Sequence, residues 1–441
     1  MKIDSIFTAI VASAALYLVF TWGALSVQLK IFPYKYIENA LIGISVVKTD
    51  YSDMEVLYAS NRYHLPLFDG FIGRVGVTVN TKEAYGGYTL YSNSYDHVVR
   101  LIDMDGVEAH SWNLNPLEKL PYPDHAKKNM AADELGIRDA YLYGNGDVIV
   151  VYEAMNQFQN NFGLAKFNKN SELIWFHAGR NHHYIDVAPN GDVYTLSLDI
   201  QTGYLEAENT EHLSWPSFDE FIEVLDHNGG LKKRVSIYKA IEKSSEAQLY
   251  LEMLWPKGKR GDHLHPNTAH YITRVAAESS PLFEEGQVMV SSQASSAIMV
   301  VDIDKEELVW VGKGLWEGQH NTVVLDNGHI MLFDNLGAKK LKQSRVMEYN
   351  PQTNDYKVIY SGSKEAPLFS PFCSSFQILA NGNTLITSHY NGRIFEINEH
   401  SEIVWEYFIP IRNLDNELET ASVYTGKRYN GLELNFLVEK D

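Results

Sequence analysis

Three histidines stand where short polar clusters meet apolar strands. They are His320 in Gly318-Gln319-His320-Asn321-Thr322, His265 in Asp262-His263-Leu264-His265-Pro266-Asn267-Thr268, and His183 in His182-His183-Tyr184. A neutral imidazole is a good nucleophile near pH 7 and can carry a group in transit. A second imidazole can protonate a leaving oxygen and later take a proton from an acceptor. If the leaving group is a phenolate, whose acid has a pKa near ~10, the demand on that acid is modest. Three histidines can also hold zinc with one open position, although the sequence forces no nearby carboxylate into this cluster.

Spacing ties these residues to others. The residue seven before the asparagine of an Asn-Gly pair is Arg138 for Asn145-Gly146, His183 for Asn190-Gly191, His320 for Asn327-Gly328 and Ser374 for Asn381-Gly382. Asn-Gly between apolar runs signals a hairpin, because both residues tolerate the positive φ of a tight turn. His265 joins the set through a different echo, since His265-x-Asn267-Thr268 repeats the order of His320-Asn321-Thr322. A second repeat, a turn and a short strand ending near tryptophan, occurs at Trp112, Trp175, Trp310 and Trp405, with weaker copies at Asn228–Val235 and Asn354–Tyr360. Outer strands recurring every ~45 to 80 residues are propeller-like, and a propeller turns the innermost strand of every blade toward one channel. The pattern therefore predicts an all-β, six-bladed β-propeller that aims these polar residues at one point. The tryptophans read as packing between blades, and His263 as structural. His389, after its turn, reads as a blade-edge residue, and Asp334-Asn335 as fixing a loop or orienting a catalytic group.

Composition sets the outer limits. The 441 residues are 45% hydrophobic and 12% aromatic, with no low-complexity tract. A net charge of −19 excludes a nucleic-acid surface, which needs a basic footprint. The single cysteine, Cys373, excludes an internal disulfide and a cysteine-based metal site. Ile6 to Leu29 is apolar, interrupted only by Thr, Ser, Gly and Gln, and about 20 such residues cross a bilayer as a helix. Residues 1–31 are thus expected to be an uncleaved transmembrane anchor, 32–74 a stalk, and 75–441 the propeller. Hairpins are expected from Val75, with Gly87–Ser92 and Val98–Asp103 opening the first blade. Long insertions at Asn113–Leu135, Thr202–Phe221 and Lys239–His265 carry Tyr204, Trp215, Phe218, Tyr250 and Trp255, which suits the walls of a pocket.

The ordered motifs carry a resemblance. Asp262-x-x-His265-x-Asn267-Thr268, Ser291-Ser292 before a strand ending Val301-Asp302-Ile303-Asp304, Trp310, Gly318-Gln319-His320-Asn321, Leu332-Phe333-Asp334-Asn335 and Ser344-Arg345-Val346 together resemble the bacterial arylsulfotransferase family. The resemblance runs from about Gly87 to Tyr407. It implies a six-bladed propeller in which a histidine takes the sulfuryl group of an aryl sulfate and passes it to a phenol, with no nucleotide sulfate donor and no cofactor. Carried over, His320 is the nucleophile, His265 a partner and His183 a third channel histidine. Asn267, Asn321 and Arg345 are implied to contact substrate. The sequence departs where the family has an arginine after Ser-Ser, since Gln293 stands there. Losing such a contact to the transition state commonly costs ~3 kcal/mol, about a hundredfold in rate. Arg138, at the equivalent point of another blade, is positioned to replace it, as are Arg180 and Arg345. The resemblance also implies an inner-membrane, single-pass protein whose propeller faces the periplasm or the exterior. Two other classes stand beside this one: an anchored propeller that binds a sulfated or phenolic ligand or a protein without turnover, and a three-histidine metal enzyme.

Overall fold

Short amphipathic strands joined by tight turns cannot bury both faces alone and must stack sheet against sheet. The computed structural model describes residues 11, 13–23, 25, 64–155, 157–201, 217–244, 261–413 and 416–437. In it the strands form six antiparallel blades around one channel. From the channel outward, blade two runs Leu135–Leu142, Val148–Ala154, Gly163–Phe167 and Leu173–Ala178. The inner strands of blades three to six are Asn181–Val187, Pro266–Tyr271, His320–Val324 and Ser375–Ile378.

The ring closes with strands from both ends of the chain. The inner strand of blade one is Val423–Tyr429, paired with Tyr88–Asn93. Hairpins do not begin at Val75, since Gly76–Asn80 does not pair with the strand that follows it in the chain. It adds a fifth, outermost strand to blade six by pairing with Ile403–Phe408. A strand that far along the chain from its partner leaves no hairpin turn to read. Outside the ring, His64–Pro66 pairs with Asn416–Ala421.

The four Asn-Gly pairs all sit in hairpin turns between the first and second strands of their blades. Only the glycines take positive φ, at +87°, +85°, +78° and +88°. Each asparagine keeps a negative φ and uses its side-chain oxygen to accept the N–H two residues on, at 2.9–3.1 Å. The asparagine is therefore selected for its amide rather than for left-handed backbone.

Apolar faces meet between blades, with one buried cluster at each of the six junctions. Tryptophans staple neighbours: Trp112 Nε1 donates to Gly146 O, Trp175 to His227 O and Trp405 to Met104 O, each on the following blade. A Cβ on Gly229 would lie 2.6 Å from the Trp175 ring, so only glycine fits there.

Two expectations about the insertions change. Phe218 lies in the strand Ser217–Leu225 and Lys239–Lys243 in the helix Ile237–Lys243, so neither is irregular. Tyr204, Trp215, Tyr250 and Trp255 lie outside the described residues. At the N-terminus, residues 13–23 are helical, but among the described residues no helix is long and apolar enough to cross a membrane. Apart from residues 11 and 25, the rest of the Ile6–Leu29 segment, and the stalk as far as residue 63, lie outside the described residues.

Closure rests on a buried ion pair. Arg428 on the closing strand meets Glu396 of blade six at 3.3 Å, both side chains fully buried, and its Nε donates to Thr89 Oγ1 of blade one at 2.8 Å. Substituting Arg428→Met leaves Glu396 buried without its counter-charge, which should cost about 3–5 kcal/mol. Urea unfolding measures this, and a loss below ~1 kcal/mol would show the pair is dispensable for closure.

Candidate active site

The inner strands begin irregularly, and that irregularity builds the site. Pairing shifts register between Ile137 and Asp139, between His182 and Ile185, between Pro266 and Thr268, between His320 and Val323, and between Val423 and Gly426. A bulge adds an unpaired residue and re-aims its side chain. Backbone in the left-handed region accompanies the bulges at His183, His265 and Asn321 (φ +61°, +43° and +48°). In blade six, Cys373 and Ser374 take φ of +58° and +77° just before the strand. The result is a cavity of about 850 Å³ whose wall includes Arg138, His183, Asn267, His320, Asn321, Cys373, Ser374 and Tyr424.

His320 is held as one tautomer. Its Nδ1 lies 2.9 Å from Asn335 Oδ1 and 3.1 Å from Gly318 O, both acceptors, so Nδ1 carries the proton. Asn335 cannot turn over, because its Nδ2 donates to Ser370 O and Cys373 O, each at 2.8 Å. The lone pair is therefore on Nε2, where it accepts the Cys373 N–H at 3.2 Å. Burial, aided by the charges of Arg138 and His265, pulls His320 down to about 3, so the ring is neutral at physiological pH.

Around it stand the other polar groups. Arg138 Nη2 donates to Cys373 Sγ at 2.9 Å, its guanidinium lies 4.6 Å from the Tyr424 ring, and its Nε is 3.7 Å from Glu153. His265 Nδ1 is 2.5 Å from Asp262 Oδ2, and its ring centroid is 5.1 Å from that of His183. Burial alone would raise the Asp262 carboxyl, but the charge and hydrogen bond of His265 bring it below its ordinary value, so it is an anion. Behind His183, His182 Nδ1 is 2.8 Å from His183 Nδ1 and His182 Nε2 is 3.0 Å from Glu220 Oε2. The Phe158 ring covers His182, His183 and His265 at centroid distances of 6.0, 5.5 and 5.6 Å. Among the described residues, no group of three or more His, Cys, Asp or Glu is placed to hold a metal ion.

A family model for arylsulfotransferase (ASST) matches residues 141–409, which is more than half of the chain. The chain belongs to the arylsulfotransferase family. No curated protein matches it. Among solved structures, a Bacteroides caccae protein of unknown function is 11% identical, with 73% of this chain and 93% of that one covered and a TM-score of 0.46. The virginiamycin B lyase of Staphylococcus aureus is also 11% identical, over 82% of this chain and 97% of that one, with a TM-score of 0.39. TolB from Acinetobacter baumannii is 10% identical, over 73% and 63%, with a TM-score of 0.39. Likenesses this distant imply nothing about chemistry.

Against that family, the residues singled out from sequence divide in two. Arg138, His183, Asn267, His320 and Asn321 line one cavity, whereas His265 is not in its wall and packs against His183. The side-chain amides of Asn267 and Asn321 are spent on neighbouring blades, donating to Gln319 O at 2.7 Å and accepting Phe376 N–H at 2.7 Å. Gln293 and Arg345 are not in the cavity wall. Gln293 donates its backbone N–H to His265 O, and Arg345 is tied to Asp334 and Leu315 O. His389 is not a blade-edge residue: it is buried, its ring lies tilted 4.8 Å from that of Tyr424, and its backbone N–H donates to Ser374 Oγ. Tyr424, Phe158 and Glu220 carry no sequence signal, since none belongs to a repeated motif.

Burial sets a pH dependence. It pulls His182 to about 4 and His389 to about 3, and it depresses His183 as well. Unfolded, each would protonate near ~6.5. Below that pH the unfolded chain binds more protons than the folded one, so stability is present above ~6.5 and is lost as pH falls toward the folded values. Glu220, raised by burial, acts in the opposite sense. Urea midpoints should fall from pH 7 to pH 4.5, and His389→Gln should remove about 1.4 kcal/mol per pH unit from that slope. An unchanged slope would mean that His389 titrates alike in both states.

Proposed function

We propose that this arylsulfotransferase moves a sulfuryl group from an aryl sulfate to a phenol through His320. The supporting observation is the Nε2 lone pair of His320, a neutral nucleophile whose other nitrogen is locked by Asn335 and Gly318. In the first half-reaction Nε2 forms a bond to sulfur, the S–O(aryl) bond breaks, and its electron pair leaves on the phenolate oxygen, which takes a proton from His183 or His265. In the second, the acceptor phenol gives its proton to the histidine deprotonated in the first half, its oxygen attacks sulfur, and the N–S electron pair returns to Nε2. Imidazole suits both halves because it is a good nucleophile near pH 7 and its sulfo adduct passes the group on.

The sulfuryl oxygens need positive partners. Gln293 offers none, whereas the Arg138 guanidinium stands in the cavity wall and is linked to the nucleophile's lone pair through Cys373. The Cys373 N–H that caps Nε2 lies where sulfur must bind, so it becomes a donor to a sulfuryl oxygen once the adduct forms. Placement of the propeller at the periplasmic side of the inner membrane, tethered by the apolar N-terminal segment, belongs to the same proposal.

Incubation with 4-nitrophenyl sulfate, followed by intact mass and peptide mapping, should show one sulfuryl group on His320. The adduct should disappear when phenol is added and be absent in His320→Ala. Arg138→Met should slow nitrophenol release ~10²–10³-fold with the fold intact. Release without any adduct on His320 would place the nucleophile elsewhere, and neither adduct nor release from the folded protein would end the sulfotransfer reading.

A further inference from the structure

Glu220 is a carboxyl shut away from solvent behind a histidine. It lies in Ser217–Leu225, the third strand of blade three, and is 2% exposed. His182, also 2% exposed, separates it from His183, which lines the cavity. In a regular strand His182 and His183 would point to opposite faces. The bulge after His182 and the φ of +61° at His183 break that alternation, and the two rings meet edge to face at 5.0 Å. The chain of contacts is thus Glu220 Oε2, His182 Nε2, His182 Nδ1, His183 Nδ1, with steps of 3.0 Å and 2.8 Å between side chains. The Phe158 ring stacks 6.0 Å from that of His182 and lies tilted 5.5 Å from that of His183.

We propose that Glu220, His182 and His183 form a buried proton relay that protonates the departing phenol oxygen and recovers a proton from the acceptor phenol. Its direction rests on the sulfotransfer reading, while the relay itself does not. Only one of two nitrogens 2.8 Å apart can carry a proton between them, so the tautomers of His182 and His183 are linked.

In one state Glu220 is protonated and donates to His182 Nε2, His182 Nδ1–H donates to His183 Nδ1, and His183 Nε2–H is available to donate. When the phenolate takes that proton, the His182 Nδ1 proton moves to His183 Nδ1 and the Glu220 proton moves to His182 Nε2. The second state has a Glu220 carboxylate, two neutral imidazoles and a bare His183 Nε2, which is the base the acceptor phenol requires. Deprotonating that phenol restores the first state, so every proton is accounted for within the two half-reactions.

The surroundings favour this arrangement. Burial, then the anion Asp262, pushes the Glu220 carboxyl well above its ordinary value, with Asp219 adding and His265 opposing. Burial keeps both imidazoles neutral, with Arg138 and His265 acting in the same direction and Glu153 against it at His182. The two carboxyls behind the two histidines are driven apart, one neutral and one ionised, and such a split assigns acid and base roles. His265, on the ionised Asp262, is then left to face the sulfuryl oxygens with Arg138.

The test compares Glu220→Gln with wild type on aryl sulfates of graded leaving-group acidity. Gln keeps the hydrogen bond to His182 but cannot pass a proton. The loss should be about 10-fold with 4-nitrophenyl sulfate and about 10³-fold with 4-methylphenyl sulfate, which needs the acid more. Equal losses on both would reduce Glu220 to a packing role. Infrared spectra at neutral pH should contain a protonated-carboxyl band that Glu220→Gln lacks, and its absence overturns the relay even where sulfotransfer stands. Wild-type protein labelled with ¹⁵N-histidine gives a reading that needs no variant: His182 and His183 should be neutral at pH 6 and share one Nδ1 proton. Independent titration of both near ~6.5 would overturn the proposal. A protein with the band and the shared proton that transfers no sulfuryl group keeps the relay and refutes the sulfotransfer reading.

Discussion

The pairing of Val423–Tyr429 with Tyr88–Asn93 is the contact on which the rest depends. A ring of blades held only by hairpins would present an open edge at each end of the chain. Here the last strand becomes the innermost strand of the first blade, and the first propeller strand becomes the outermost strand of the last. The seam is reinforced by Arg428, which reaches Glu396 and Thr89 on opposite sides of it and lies 4.6 Å from the Trp405 ring. Closure also delivers Tyr424 to the channel, where it receives the Arg138 guanidinium on its face. The arginine proposed to replace the missing family residue is therefore placed by the two ends of the chain meeting.

Given a closed ring, geometry at the channel follows from small irregularities. A regular inner strand would alternate its side chains between the neighbouring blades. Bulges at the starts of five inner strands, and left-handed backbone at Cys373 and Ser374 before the sixth, break that alternation, and hydrogen bonds across the blade junctions hold the local geometry in place. Asp139 Oδ2 accepts Ile185 N–H, Asp186 Oδ2 accepts Tyr271 N–H, and Asn321 Oδ1 accepts Phe376 N–H. The same polar types that suit a rim thus position the proposed nucleophile, and Gln319, buried behind it, donates to Ser291, Ser292 and Ala297 of the preceding blade.

Electrostatically the site is a set of neutral rings inside a charged frame. Burial keeps His182, His183 and His320 unprotonated. Arg138 supplies the positive charge, and Glu153 and Asp262 supply negative charge next to the histidines. For the proposed sulfotransfer, a neutral His320 beside a fixed cation suits attack on an anionic sulfate ester, because no proton need leave Nε2 before the attack.

Much of this was legible in the chain itself. The hairpin rhythm, the position seven before each Asn-Gly turn and the Gly-Gln-His-Asn motif were enough to name the propeller, His320, His183, Arg138 and Ser374 as channel residues, because local periodicity and turn chemistry act over a few residues. What the amino-acid order left open was every contact made across blades. Glu220 lies 38 residues from His182 and meets it only because strand register brings the third strand of blade three behind the first. Tyr424 belongs to a strand whose partner lies at the other end of the chain, and Phe158 to a turn without a repeat. Arg345, which carries the right charge at a plausible motif position, is taken by Asp334. Sequence by itself determined which strands form and which residues start them, since those depend on neighbours along the chain. Only the tertiary structure decided which imidazole nitrogen keeps its lone pair, which arginine stands beside it and which carboxyl stands behind the histidines, since those depend on groups that folding brings together.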